Sequence, residues 1–511
     1  MCTPIPRKKE FLDFVRKGTI LPLSVEINVA GLTPVAVFEI IRTKRYPVLL
    51  ESSRIDEKNG RYSYVTADPY LIFKSRGNDV ELLLPTTPVG KYGRRASMKK
   101  DPLVKLRELM SNYQTGHVTS LPPFTGGAIG FFSYDFAYQF EALSRRARID
   151  LELPESYFIF FDMVIAFDHA QNRVWVIVNP GACEQELGFR RPTPEQWSRL
   201  YDEAALRLNS VVHELRAPRG PIGLIASVRD ASSMRTHLVP DLAQQEFESM
   251  IGRCKTYISD GEIQEANLSL RFSALSSGRD PLHLYKVLRE SNPSTYAMIL
   301  DFEELQIISS SSEHLVRLRD GIVNSRLITK LCNQCNYDLK VIKYAEEHRM
   351  KITERAKQKH DTLLKQIQGD LDRLCDSNGA IADEMILYNE QNSAFQIVSD
   401  VQGKLQQRKD CFDLIRAVFP GGAVTGVPKL RSMEIIDELE PTARGPYAGS
   451  MGYISNSGNM DFNICVGTFI FKDNMTFFQA GTAIGDDIDS SQPYFEILRD
   501  AKVFKTAWEK L

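Results

Sequence analysis

FPGGAVTGVPKLRSMEIIDELEPTARGPYAGSMGY, residues 419–453, divides into a glycine-rich turn and an amphipathic helix. The doublet Gly421-Gly422 and the later Gly426 permit backbone angles, or a close approach by a ligand, that a side chain would block. Pro428 suits the first turn of a helix, and Leu430, Met433, Ile436 and Leu439 recur behind it at helical spacing. On these letters alone the segment is a turn that opens a helix, with or without a ligand at the turn.

Outward from this segment, alternation and turn residues predict consecutive strands through 46–73, then at 126–135, 156–168 and 173–179, with a helix at 101–113. A polar stretch from 180 to 238 carries a helix opened by PTPEQW and places a boundary between an N-terminal region, 1–235, and a C-terminal region, 236–511. Beyond it the pattern predicts helices at 242–259 and 281–290, a strand at 267–274, strand pairs at 295–325, a charged helix over 338–375 and a closing helix at 491–510. The fold class is α+β.

With 43% hydrophobic and 25% charged residues in 511, the chain can bury a large core. Lys plus Arg, 63, nearly equals Asp plus Glu, 65, so no net field favours nucleic acid or an anionic membrane. No apolar run approaches the roughly eighteen residues of a membrane span, and the N-terminus lacks a signal-peptide pattern, which makes a cytoplasmic location the expectation. Eight cysteines suit a reducing compartment. Cys332, Cys335 and His348 reproduce three ligand spacings of a zinc finger, but His360 is too far along for the fourth, and two free thiols in a loop are the simpler reading.

The segment 419–453 resembles the signature region of the chorismate-binding family, which includes anthranilate synthase component I and aminodeoxychorismate synthase. LLES (49–52), GRYSYV (60–65), PPFTGGAIGFFSYD (122–135), LPESYF (153–158), NPSTYA (292–297), IVSDVQGKL (397–405) and GNMD (458–461) follow in family order. The resemblance implies an α/β sandwich of large, mostly antiparallel sheets, with a regulatory N-terminal portion and a chorismate-binding C-terminal portion. Asn267 and the PGG and TG pairs lean toward the aminodeoxychorismate branch. No glutamine-hydrolysing motif is present, so a glutamine amidotransferase subunit would be a separate chain.

Aminating chorismate needs Mg²⁺ held by carboxylates, donors for two acid groups and a proton donor. The resemblance implies two metal-binding glutamates spaced like the ends of ERAE; aligned on TERAK (353–357), they become Glu354 and Lys357. An ammonium at about 4 Å repels a unit positive charge by about 4 kcal/mol, and Mg²⁺ by twice that. The family run EHLMLVDL is replaced by KQKHDTLLKQIQ, two residues longer before Gly369. PIAGT becomes Leu327–Leu331, which puts Thr329 in the pocket, and the histidine of SHVMHIVS becomes Gln396, which cannot act as acid or base. The arginine of an IRT-like strand becomes Gly467, AGGGI becomes Ala480-Gly481-Thr482-Ala483-Ile484, and EYxET keeps Glu496 but has Pro493.

Thr425, Tyr447, Gly449, Gly481 and Lys429 remain as candidate pocket residues, with Glu354 and Glu496 as residual Mg²⁺ ligands. Glu51, Ser52, Asn292 and Tyr296 resemble a tryptophan-sensing site, although Thr295 replaces a proline usual there. Three readings stay open. The protein is a non-catalytic or regulatory relative working beside an amidotransferase or a catalytic paralogue; or it is an enzyme of altered, Mg²⁺-independent chemistry on a small cyclic acid, in which Lys357 takes the place of the metal charge while Gln396 and Thr329 reshape the site; or it carries out ordinary amination of chorismate to anthranilate or aminodeoxychorismate.

Overall fold

A computed structural model describes residues 3–28, 31–54, 60–84, 93–141, 143–183, 192–217, 237–276, 278–330, 342–389, 394–486 and 488–511. Two large sheets dominate it, one of twelve strands and one of eleven among the described residues. The pairings between their strands are antiparallel. The sequence regions 1–235 and 236–511 are interleaved. Val48–Glu51 pairs with Tyr296–Asp301 in the first sheet, and Gly127–Phe132 pairs with Ser450–Ser455 in the second.

Alternation along the strands builds two cores. Val48, Leu50, Tyr157, Ile159, Met298 and Tyr453 meet between the sheets. Leu49, Phe158, Phe160 and Ile299 point the other way, into a core that helices cover. The sandwich is therefore apolar on both faces of its sheets, which explains the near-continuous hydrophobic runs of its central strands.

One such run conceals a crossing. Residues 156–168 read as a single strand, yet Ser156–Phe161 lies in the second sheet and Met163–Asp168 in the first. The switch is at Asp162, which accepts hydrogen bonds from Arg207 at 2.5 and 3.0 Å. The closing helix is likewise two, Gln492–Asp500 and Lys502–Glu509. The charged tract forms the long helix Ile342–Asp372 as predicted. Among the described residues no helix is long and apolar enough to cross a membrane. The cysteine pair Cys332 and Cys335 lies outside the described residues.

Candidate functional site

The signature turn is fastened to the strand Glu265–Leu275 of the first sheet. Gly426 has φ +149°, and a Cβ there would sit 2.2 Å from the Glu265 carbonyl oxygen, so only glycine fits. Thr425 is fully buried; its hydroxyl donates to the Gly422 carbonyl at 3.1 Å, and its own carbonyl accepts from the Asn267 amide at 2.8 Å. Thr425 thus holds the turn together.

Behind it, Glu440 and Arg444 form a buried ion pair at 2.6 Å. Glu440 also accepts from the amide and hydroxyl of Ser269 at 2.9 and 2.7 Å, and Arg444 donates to the carbonyls of Val424 and Asn267 at 2.9 and 2.5 Å. This pair ties helix, turn and strand into one unit. Its signal in the sequence is the four-residue spacing of Glu440 and Arg444 in ELEPTARG, which the motif pattern above does not include.

Of the candidate pocket residues, Tyr447 and Gly481 come together. A Cβ on Gly481 would lie 2.6 Å from Tyr447 Oη and 2.7 Å from Asn267 Oδ1, so the bare backbone makes room for both groups. Burial raises the Tyr447 hydroxyl well above its usual range, which keeps it protonated. Lys429 donates to the Val418 carbonyl at 3.2 Å; burial pushes its ammonium down to about 8, with Asp370 opposing. Gly449 serves packing, since a Cβ there would meet the Phe132 carbonyl at 2.3 Å.

The long helix holds the two positions expected to face a metal away from its buried side. Glu354 and Lys357 are exposed, on the outward side. The inward side carries Lys359, whose ammonium lies 3.1 Å from Glu265, and the fully buried His360. His360 Nδ1 is 2.8 Å from the Thr329 hydroxyl and Nε2 is 2.7 Å from the Ser399 hydroxyl. Desolvation lowers the His360 pKa and favours a neutral ring. Thr329 is therefore this histidine's partner, while Gln396 is half-buried on the neighbouring strand, opposite Lys330.

At the C-terminal end the two residual acid positions part company. Asn267 and Ser269 face Ala483 and Gly481 across the ladder, so alternation sends Thr482 to the reverse side. The Thr482 hydroxyl donates to Glu496 at 3.3 Å, and Gln492 donates to its other oxygen at 3.1 Å. Glu354, exposed on the long helix, is not among these partners of Glu496. Among the described residues no group of three or more His, Cys, Asp or Glu is placed to hold a metal ion. Gly467 adopts φ +58°, and a Cβ on it would lie 2.7 Å from Phe504 Cζ.

Glu51, Ser52 and Tyr296 line a cavity of about 60 Å³ between the sheets, room for a few waters. Arg61, Arg317 and Asp461 line it as well. Glu51 is buried and already engaged by Arg289 at 2.9 Å and by the Tyr285 hydroxyl. Ser52 donates to the carbonyls of Tyr62 and Thr295 at 3.1 and 3.2 Å, and Tyr296 to Asp461 at 3.3 Å. Asn292 stands apart from the cavity, bonded to Ser310.

Residues 55–506 match the profile of the family described as chorismate binding enzyme. The chain belongs to the chorismate-binding enzyme family. Within that family it is 30% identical to anthranilate synthase component 1 of Aquifex aeolicus, over 98% of this chain and 97% of that protein. It is 31% identical to aminodeoxychorismate synthase component 1 of Bacillus subtilis, over 92% of this chain and 93% of that one. The crystal structure of anthranilate synthase component I from Streptococcus pneumoniae superposes with a TM-score of 0.70 at 26% identity, covering 94% of this chain and 99% of that chain. The α+β sandwich expected from the motifs is thus the fold of this chorismate-binding enzyme family member.

Proposed function

We propose that this chain is a divergent member of the anthranilate and aminodeoxychorismate synthase component I group that has left the amination of chorismate and acts as a non-catalytic or regulatory component. The observation that carries the reading is at Gly467. The resemblance gives this position an arginine that clamps a substrate carboxylate; here the backbone is left-handed and the Phe504 ring stands where a side chain would leave it. A charge-assisted pair worth about 1.5–3 kcal/mol has no counterpart there.

The helix supports the same reading. A place facing the sheet belongs to Lys359 rather than Lys357, and sliding the resemblance by two residues also removes the two-residue surplus before Gly369. The ERAE glutamates then correspond to Ala356 and Lys359, so both carboxylates are gone. The donor set left on the described residues does not suit Mg²⁺, which takes oxygen ligands in a near-ideal octahedron.

The relatives' name, component 1, points to a second component, and a separate amidotransferase subunit or a catalytic paralogue is the partner we infer. Regulation through the cavity between the sheets belongs to this proposal, with Ser52 and Tyr296 as its polar contacts. A second reading, altered chemistry on another cyclic acid, draws on the intact Tyr447–Gly481–Asn267 cluster. One assay separates the readings: purified protein with chorismate, ammonia and Mg²⁺, with and without a glutaminase, followed by product chromatography. Aminated product at an ordinary enzymatic rate sinks both. A product other than an aminated one favours the second, and no product together with co-purification of a synthase subunit favours the first.

A further inference from the structure

We propose that Lys359 and Glu265 form a built-in ion pair that keeps a divalent cation out of the contact between the long helix and the strand Glu265–Leu275, so that any acid held in this site binds without Mg²⁺. The inference rests on the family reading above, which supplies the expectation of a metal held from this helix. Its content comes from the chain's own side chains.

Only the inward side of the helix can present a ligand to the sheet. That side is fixed by His360, wedged between the Thr329 and Ser399 hydroxyls, and by Leu363 and Leu371, which are buried beyond it. Lys359, next to His360 and half-buried, reaches Glu265 from this helix, and it is an ammonium with three donors and no lone pair to offer a metal. Glu265 is a carboxylate within reach of this part of the helix, and the 3.1 Å contact with Lys359 already occupies it. An arriving cation would meet the ammonium's repulsion and would have to draw Glu265 away from its partner.

The other two acid positions named as metal ligands do not offset this. Glu496 is turned to the reverse face of the sheet by Thr482, and Glu354 points away from the sheet on the exposed side of the helix. Glu265 itself lies on the same face as Asn267, two residues along the strand, so the ion pair stands beside the Tyr447–Gly481–Asn267 cluster.

The test is a titration of the full-length protein with Mn²⁺, standing in for Mg²⁺, with the free ion followed by electron paramagnetic resonance. The wild type is expected to leave Mn²⁺ free into the millimolar range. Lys359→Glu, which replaces the ammonium by a carboxylate beside Glu265, is expected to bind Mn²⁺ at least about ten-fold more tightly. Circular dichroism reports whether that variant folds, and Lys359→Gln, which removes the charge without adding a ligand of opposite sign, is expected to fall between the two. Saturable wild-type binding that disappears in Glu265→Gln overturns the proposal, as does a folded Lys359→Glu protein that binds no more tightly than the wild type. Because the readout is metal occupancy, it fails or succeeds independently of the chorismate assay: turnover without metal would end the functional reading and leave this inference standing.

Discussion

Asp135 links the N-terminal region to the signature loop, and its protonation is expected to set part of the pH dependence of stability. Its carboxylate accepts a hydrogen bond from the Gly445 amide at 2.8 Å, two residues before Tyr447. Burial raises its pKa from the usual 3.8 to about 6, against the pull of the Gly445 bond and of Arg145, and with help from Glu155 and Asp437. The folded value exceeds the unfolded one, so the native state holds the proton longer. The contribution is fully present below about pH 4 and is lost as pH rises through about 6. Two pH units correspond to about 3 kcal/mol; the carboxyl borders a small cavity that admits water, so about 2 kcal/mol is expected. Asp135→Asn keeps an acceptor for the Gly445 amide and cannot ionise. Urea unfolding followed by the fluorescence of the buried Trp175, Trp197 and Trp508 gives stability at each pH. The wild type should lose about 2 kcal/mol relative to the variant between about pH 4 and 6.5, with a constant difference above that window. Parallel curves for the two proteins across the window would refute the assignment.

Arg444→Met leaves the Glu440 carboxylate buried without its counter-ion and is expected to cost about 3–5 kcal/mol in urea unfolding. Adding Glu440→Gln should restore at least about 1 kcal/mol, and a strictly additive double variant would show that the two do not act as a pair. Gly467→Ala forces a side chain into a left-handed backbone against Phe504, with an expected loss of about 1–3 kcal/mol. Trimming the ring in the same protein by Phe504→Leu should relieve part of that loss in thermal melts, whereas an unchanged melting temperature in Gly467→Ala would mean the backbone relaxes at no cost.

Much of the architecture is written in short-range pattern. The glycine turn and the helix behind it, the period of two in the strands and the period near four in the long charged tract all depend on neighbours in sequence, and each reappears in the fold. The crossing at Asp162 does not, because both halves of residues 156–168 are buried on two faces and read as one apolar run; a single aspartate with a distant arginine partner marks the change of sheet. The helix register shows the same limit more sharply. KQKHDTLLKQ is polar enough to slide by two residues without any local penalty, and what stops it sliding is His360 meeting hydroxyls from strands 31 and 39 positions away in the chain. Once that contact sets the rotation, Lys357 turns to solvent and Lys359 to Glu265, so the same excess of positive charge acquires a different owner. Gly467 likewise reads in sequence as a lost guanidinium, while the Phe504 ring that fills the space beside its left-handed backbone comes from a helix 37 residues on. Residues that hold a site in place are legible where their partners are near in sequence; here the deciding partners are far away, and the chemistry turns on them.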